Sequence, residues 1–361
     1  MSDQPVITVR TGGQTWAGWQ QSQISRSLEA IAGTFSIPVS LVPGQPPLIK
    51  RQDEVQVLVG DQVVITGYVL AAEPFYDAKD CGLRVTGRDR TGDFVRSSAL
   101  HKGGQWRNVR LDRIVKDLAG PFGIDVKVDV DLGAVIQDFK LNLGESCLDA
   151  IARACRLRGI LAVPDGGGRL LLTKAGTAKA PGAIRRGQGV ISMEGIGSDE
   201  HRHSEYVVYG QCNVAGDFDS ARQVKAVAKD SEINRYAPLM INADGNVTQA
   251  DLQSLADHSA RVRRGHAYGF RYTLEGWLNN GKPWPLNARV PIYDDIAGLD
   301  GDEWLICSTT QTCDLKGGAM TVVEVRPIEA YDTVPLKTRV RHRKADRGRG
   351  RDGAKVEGQP R

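Results

Sequence analysis

One strand-turn-strand phrase occurs twice in this chain, far apart. The first copy runs Asp53-Glu54-Val55-Gln56-Val57-Leu58-Val59-Gly60-Asp61-Gln62-Val63-Val64-Ile65-Thr66. The second runs Asp294-Asp295-Ile296-Ala297-Gly298-Leu299-Asp300-Gly301-Asp302-Glu303-Trp304-Leu305-Ile306-Cys307. Each sets an acidic pair ahead of Gly-Asp at the same spacing, and then an apolar, β-rich run. Gly-Asp is turn chemistry, because glycine reaches φ > 0 without steric cost. A further strand-like run follows each copy, Leu83 to Gly87 and Met320 to Val325. The phrase predicts equivalent hairpins at Gly60-Asp61 and Gly301-Asp302, in two related β modules separated by something different. Over so short a match, coincidence is an equal alternative to duplication. Two similar small barrels in one chain suit a scaffold better than an enzyme.

The rest of the first module reads as strands. Val6 to Arg10 alternates, and Gly12-Gly13 gives a tight turn. Phe35, Ile37, Val39 and Leu41 recur at the period of a half-buried strand before Pro43-Gly44-Gln45-Pro46-Pro47 breaks the chain. From about Arg96 the period changes. Leu111, Ile114, Val115 and Leu118 stand at helical spacing, stopped by Gly120-Pro121. Ser146 caps a second helix whose Leu148, Ile151, Ala152 and Cys155 share a face. A hairpin across Asp165-Gly166-Gly167-Gly168 follows.

After a linker rich in Ala, Gly and Pro from Lys174 to Gly189, strands resume. Thr248-Gln249-Ala250-Asp251 resembles a capping box and opens a helix ending near Arg264-Gly265. The predicted class is α+β, mostly β. Residues 1–95 form a first β-barrel module completed by strands within 190–212, and residues 96–185 an α/β insert with its linker. Residues 213–335 form a second β-barrel module, and residues 336–361 a disordered basic tail.

The net charge of +4 is unevenly spread. From Lys337 onward ten Lys or Arg face three acids, so the tail carries +7 and the body −3. That argues against a body-wide nucleic-acid surface. The flexible residues Arg339, Arg341, Arg343, Lys344, Arg347, Arg349 and Arg351 are the candidate contacts for nucleic acid or an acidic partner; a merely solubilising tail explains them equally well. The start, Met1-Ser2-Asp3-Gln4-Pro5, lacks the basic and apolar regions of a secretory signal. No apolar run approaches the ~20 residues of a membrane span, so no membrane insertion is expected. Six scattered Cys residues, none in C-x-x-C, fit a reducing compartment.

Motifs for chemistry are sparse. His201 and His203, beside Glu200 and Glu205, are the one His cluster, but no further His or Cys stands at a diagnostic metal spacing. Cys307 with Cys313, and Cys147 with Cys155, read as packing thiols rather than redox pairs. Gly187-Gln188-Gly189 and Gly195-Ile196-Gly197 neither follow a strand nor open an apolar helix, as a phosphate-binding loop must. Arg110, Arg113, Arg153, Arg156 and Arg158 could touch phosphate, though a solvated helix face explains them more simply. No catalytic residue, metal or cofactor is expected.

The order of these elements resembles the baseplate hub proteins of Mu-like contractile-tailed bacteriophages, related to the late-control D group of tail proteins. The resemblance is carried by Gly12-Gly13, by Gly60-Asp61-Gln62-Val63-Val64-Ile65-Thr66-Gly67-Tyr68-Val69 and by Val85-Thr86-Gly87-Arg88-Asp89. It continues through Asn108-Val109-Arg110-Leu111-Asp112-Arg113-Ile114-Val115, Gly144-Glu145-Ser146-Cys147-Leu148-Asp149-Ala150-Ile151-Ala152-Arg153 and Leu161-Ala162-Val163-Pro164-Asp165-Gly166-Gly167-Gly168-Arg169-Leu170. It spans Val6 to Tyr331 and leaves out the basic tail. It implies a homotrimer in the virion baseplate, assembled in the host cytoplasm. Its six barrels would seat a hexameric tail tube while the trimer matches a trimeric central spike. Other baseplate proteins and, transiently, phage DNA in the lumen would be its further partners. Two other readings are a hub-associated cell-wall hydrolase, and a nucleic-acid-binding protein acting through its basic C-terminus.

Overall fold

The computed structural model describes residues 7–17, 19, 21–40, 49–78, 81–213, 221–246, 249–314 and 317–332. The first module is built from β1 (Ile7–Thr11), β2 (Gln14–Trp16), β3 (Ser22–Ser27), β4 (Thr34–Ser40), β5 (Glu54–Val59), β6 (Gln62–Tyr76) and β7 (Cys81–Asp89). They are antiparallel, in the order β3-β4-β7-β6-β5-β1-β2. Side chains of a strand alternate between faces. Phe35, Ile37 and Val39 of β4 therefore turn inward together, onto Val55, Val57, Ile65, Leu83 and Val85. Each fully buried aliphatic of this kind is worth roughly 1.5–3 kcal/mol. Strands β6 and β7 cross so closely at Gly67 that a Cβ there would collide with the Arg88 carbonyl.

The insert comprises α1 (Asp93–Arg96), β8 (Gln105–Val109), α2 (Leu111–Ala119), β9 (Val126–Val128), β10 (Ile136–Lys140), α3 (Cys147–Arg156), β11 (Leu161–Pro164) and β12 (Leu170–Thr173). Ser146 caps α3, its hydroxyl accepting the Asp149 N–H at 3.0 Å. The inward faces of α2 and α3 meet in one core with Trp106, Ile136, Leu170 and Leu172.

Next come β13 (Ala178–Lys179), β14 (Ile184–Arg185) and β15 (Val190–Gly197). The chain then builds a separate unit from β16 (Glu205–Asn213), β17 (Ala221–Lys229), β18 (Pro238–Asn246) and α4 (Gln249–Ala267). Its core joins Tyr206, Val208 and Ala226 to Leu252, Ala256 and Ala260 on one side of α4. The second module closes the chain with β19 (Tyr268–Glu275), β20 (Leu278–Asn279), β21 (Lys282–Pro283), β22 (Ala288–Asp294), β23 (Leu299–Asp314) and β24 (Gly318–Arg326).

The two modules repeat one plan. The order β15-β19-β24-β23 matches β3-β4-β7-β6, and β22 stands on β23 as β5 stands on β6. Even the irregularities recur. Val57 faces Ile65 while Leu58 faces Val63, leaving Val64 as a bulge; Ile292 faces Asp302 while Tyr293 faces Asp300, leaving Gly301. A second bulge falls at Leu70, between Val69 and Ala71, and its counterpart at Cys307, between Ile306 and Ser308. Bulges kink a strand and raise its twist, so both long strands bend at the same two places.

Three expectations change. Gly301-Asp302 is not a turn: the turn is Asp295 to Gly298, and Gly301, with φ 90°, fills the bulge beyond it. The second turn is longer than the first, so the sequence phrase paired the copies out of register. Strand β15, expected to complete the first module, pairs with β19 of the second, and β16 belongs to the separate unit. The linker strands β13 and β14 lie parallel on β22, so this stretch joins the second module rather than the insert. Thr248 of the capping box lies outside the described residues.

Candidate functional site

The modules are welded by a strand pair. Ser308 to Cys313 of β23 lie antiparallel to Ser27 to Ser22 of β3, which makes one continuous sheet of both modules. Side chains reinforce the ladder: the Ser25 and Thr310 hydroxyls meet at 3.1 Å, and Ser308 Oγ donates to the Arg26 carbonyl at 3.2 Å. Beyond β3, the Leu28 N–H donates to the carbonyl of the bulged Cys307 at 2.8 Å. Leu28 packs there with Leu305, Cys307, Ala330 and Tyr331. Burial, with the nearby Glu324, pushes the Cys307 thiol up to about 12, which suits a packing side chain.

The equivalent surface of the first module is open among the described residues. Beyond Val69, β6 keeps its pairing with β7 through Tyr76, but its other edge meets no strand among the described residues. Leu70, the counterpart of buried Cys307, is 43% exposed, and Phe75 and Tyr76 are exposed as well. A groove of about 1120 Å³ runs beside this edge, between Ile49, Lys50, Leu70, Pro74 and Arg96. β15, the counterpart of β3, likewise pairs on one side only among the described residues and exposes Ile191.

A smaller cavity of about 260 Å³ lies where both modules meet the insert, lined by Arg26, Asp89, Asp129, Asp165, Thr173 and Asn287. Asp89 accepts the Thr91 N–H and hydroxyl, each at 3.2 Å. Burial nevertheless lifts its carboxyl to about 6. Desolvation likewise brings the Arg26 guanidinium down to about 10, against the opposing pull of Asp89, and one of its Nη groups donates to the Trp284 carbonyl at 2.9 Å. These groups tie the joint together.

The sequence-picked candidates are scattered. His201 borders a cavity of about 550 Å³ with His258 and His266, whereas His203 lies edge-on to Tyr206 with ring centres 5.8 Å apart. Among the described residues no group of three or more His, Cys, Asp or Glu side chains fits a metal. Between these two histidines, Arg202 is buried and grips Asp230 through Nε and Nη2, at 3.0 and 2.9 Å, and Glu232 at 2.6 Å. That network joins residues about thirty positions apart and leaves no local motif. Cys147 and Cys155 sit in the insert core, where burial pushes both thiols up to about 12. Arg153 is bound to Glu145 at 2.7 Å and lies over the Phe139 ring, Arg158 donates to the Ala134 and Val135 carbonyls, and Arg113 pairs with Asp117. These arginines serve the insert itself. Arg339, Arg341, Arg343, Lys344, Arg347, Arg349 and Arg351 lie outside the described residues. Among the described residues no helix is long and apolar enough to cross a membrane.

Known proteins share this construction. Residues 6–89 match the family described as Mu phage baseplate assembly protein GpP-like, N-terminal, and residues 91–174 match baseplate hub protein gp44-like, second domain. Baseplate hub protein gp44 of Escherichia phage Mu is 30% identical over 362 residues, covering 97% of this chain and 95% of that one. The crystal structure of the prophage MuSo2 43 kDa tail protein from Shewanella oneidensis superposes with a TM-score of 0.81 at 32% identity, over 91% of this chain and all of that one. A tail protein from Neisseria meningitidis gives 0.79 at 19% identity, over 92% and 99% of the two chains, a likeness of fold. The chain belongs to the gp44-like baseplate hub proteins of Mu-like phages, structural components of the virion tail.

Proposed function

We propose that this baseplate hub acts as a homotrimeric ring that joins the sixfold tail tube to a trimeric central spike and surrounds part of the channel for DNA ejection. The observation that carries this reading is the duplication: one chain presents the same bent five-strand plan twice, linked through a single strand pair. Three such chains offer six similar modules, which match a sixfold partner, while keeping threefold symmetry for a trimeric one. Heterologous contacts between unlike copies close into a ring when their rotation allows it. We assign no catalysis to the chain. A peptidoglycan zymogram with a band that disappears in His201→Ala would support the hydrolase alternative instead.

The basic residues from Arg339 to Arg351 are assigned to an acidic partner, DNA or protein, at one face of the ring. Light scattering on the full chain tests the assembly. The reading requires about 118 kDa, three times the 39.2 kDa chain. A mass of one chain across micromolar concentrations contradicts it.

A further inference from the structure

We propose that the cavity beside the C-terminal half of α4, walled by His201, His258, Arg263, His266 and Arg326, binds a phosphate group. The site stands apart from the ring reading, and either can fail without the other.

The helix itself creates the cavity. α4 turns Leu252, Ala256 and Ala260 to the core it shares with β16 and β17. Side chains four apart on a helix lie one above the other. His258, Val262 and His266 therefore form a second stripe, which borders the loop 198–201 after β15 and Arg326 at the end of β24. The space left among them is about 550 Å³. Among the described residues that line it, none is Asp or Glu.

The walls are held without a ligand. Arg263 Nη1 donates to the His201 carbonyl at 3.2 Å, and Arg326 Nη1 donates to the His266 carbonyl. His258 Nε2 stands 3.0 Å from the Asp332 carbonyl. A carbonyl oxygen only accepts, so that nitrogen carries the proton, and Nδ1 becomes a second donor when the ring is protonated.

The charges around the cavity are mostly paired. Arg326 is bound to Glu324, Arg261 to Asp332, and Asp199 of the loop to Arg202, each at 2.9 Å. Glu200 is exposed and outside the lining. Glu29 lies 3.9 Å from His266 Nδ1 and accepts the Tyr331 hydroxyl. Arg263 forms no ion pair among the described residues and balances Glu29. The three imidazoles then turn the cavity positive by taking protons. Burial and Arg326 hold the His266 imidazole below its ordinary 6.5, against the pull of Glu29 and the Ala330 backbone. An anion in the cavity favours the charged ring, so its binding takes up a proton and tightens as pH falls.

Phosphate fits these donors better than carboxylate does. They converge from α4, from the loop 198–201 and from β24. A carboxylate offers two coplanar oxygens, whereas phosphate oxygens point to the corners of a tetrahedron, and guanidinium is their usual partner. The described residues end at Asp332, beside His258, and the sequence continues to Arg339 and Arg351. The phosphate therefore has two sources, the free ion or a nucleic-acid strand that those residues also hold.

The test is isothermal titration calorimetry on the full chain with inorganic phosphate, with acetate at equal ionic strength and with hexathymidylate. Phosphate should saturate one site per chain, and acetate none. Arg263→Gln should weaken phosphate binding at least about tenfold. His201→Gln, which alters an exposed side chain, should weaken it less and leave melting unchanged. A tail variant with Arg347→Gln, Arg349→Gln and Arg351→Gln should bind phosphate as the native chain does. Phosphodiesters and arginines keep their charge from about pH 6 to 8, so tighter hexathymidylate binding at the lower pH reports imidazoles, and His266→Gln should diminish it. Hexathymidylate binding at least about tenfold tighter than phosphate assigns the site to a strand, and equal affinity assigns it to the free ion. Equal saturation by acetate overturns the proposal. So does a folded Arg263→Gln chain that binds phosphate normally, or loss of phosphate binding in the tail variant. Should Arg263→Gln fail to fold, unchanged binding in His201→Gln overturns it.

Discussion

Gln52 and Asn287 occupy the same place in the two modules. Both have a left-handed backbone, with φ of 73° and 58°. Both donate their N–H to the long strand beside them, Gln52 to the Val69 carbonyl at 2.8 Å and Asn287 to the Ile306 carbonyl at 3.0 Å. Left-handed geometry is uncommon outside glycine, with Asn the best tolerated of the others. Its recurrence at matched positions, one residue before the bulge in the receiving strand, marks duplication of a backbone rather than of a sequence. The second copy has since put Asn287 to further use: its amide bonds the Lys174 carbonyl at 2.8 Å and the Gly176 N–H at 3.0 Å.

That geometry predicts an asymmetric response to substitution. Gln52→Val should cost about 1–2 kcal/mol, because a β-branched residue fits poorly at positive φ, while Gln52→Asn should be neutral. Thermal melting of the three proteins side by side checks this. Equal melting temperatures for Val and Asn would contradict the assigned backbone.

The β6–β7 crossing predicts a sharper loss. Gly67→Ala places a Cβ against the Arg88 carbonyl, which belongs to the sheet and cannot swing aside. The expected cost is at least about 3 kcal/mol. Gly197→Ala, at the exposed end of β15 with open space around it, should instead gain about 0.4–1 kcal/mol. Urea midpoints of the two variants should move in opposite directions.

Asp89 predicts a pH dependence with a definite sign. Burial raises its folded carboxyl to about 6, above the unfolded value of 3.8. The folded state then binds more protons than the unfolded state between those values, so this group's contribution falls as pH rises from about 4 to 6 and is flat above. The full effect is up to about 3 kcal/mol, at 1.36 kcal/mol per pH unit. Asp89→Asn, which keeps an acceptor for Thr91, should gain in melting temperature relative to the native chain over that window. A constant difference from pH 4 to 8 would show that Asp89 titrates normally.

The buried Arg202–Asp230 pair predicts a local collapse. Asp230→Ala removes the one fully buried carboxylate and leaves the guanidinium to Asp199 and Glu232 at the rim, so it should cost about 1.5–3 kcal/mol, while replacing both partners, Arg202→Met with Asp230→Leu, should recover much of the loss. Hydrogen exchange in β16, β17 and α4 reads this directly, because β17 leads straight into Asp230 and shares one small core with the other two.

The basic tail predicts a division of labour. Truncation after Pro335 should leave the number of chains in the assembly and its melting temperature unchanged and abolish retention on DNA, a retention that weakens steeply with salt in the full chain. A truncated protein that becomes monomeric would make the tail structural.

The sequence made the alternation of Phe35, Ile37 and Val39 visible, along with the helical spacing around Leu111 and Ile151, because one buried face imposes a period. It also exposed the duplication, but out of register. The turn between β22 and β23 is longer than that between β5 and β6, and Gly301 had moved from turn duty to a bulge. The assignment of β15 could not be read locally, since Val190 to Gly197 pairs with residues about eighty positions later, beyond an inserted unit. The open β6 edge left no motif at all. Leu70, Phe75 and Tyr76 look like ordinary strand residues until the second module shows what covers their counterparts.

The claim at the centre of this account is that six similar modules surround one axis. Electron microscopy of the purified full chain, averaged in projections down that axis, tests it most directly. The account predicts a closed ring of six lobes at about 60° intervals, three alternating with three in outline because the two modules are followed by different α/β units, the insert with α2 and α3 after the first and the α4 unit within the second. A ring of three undivided lobes, or particles with no ring, would contradict it.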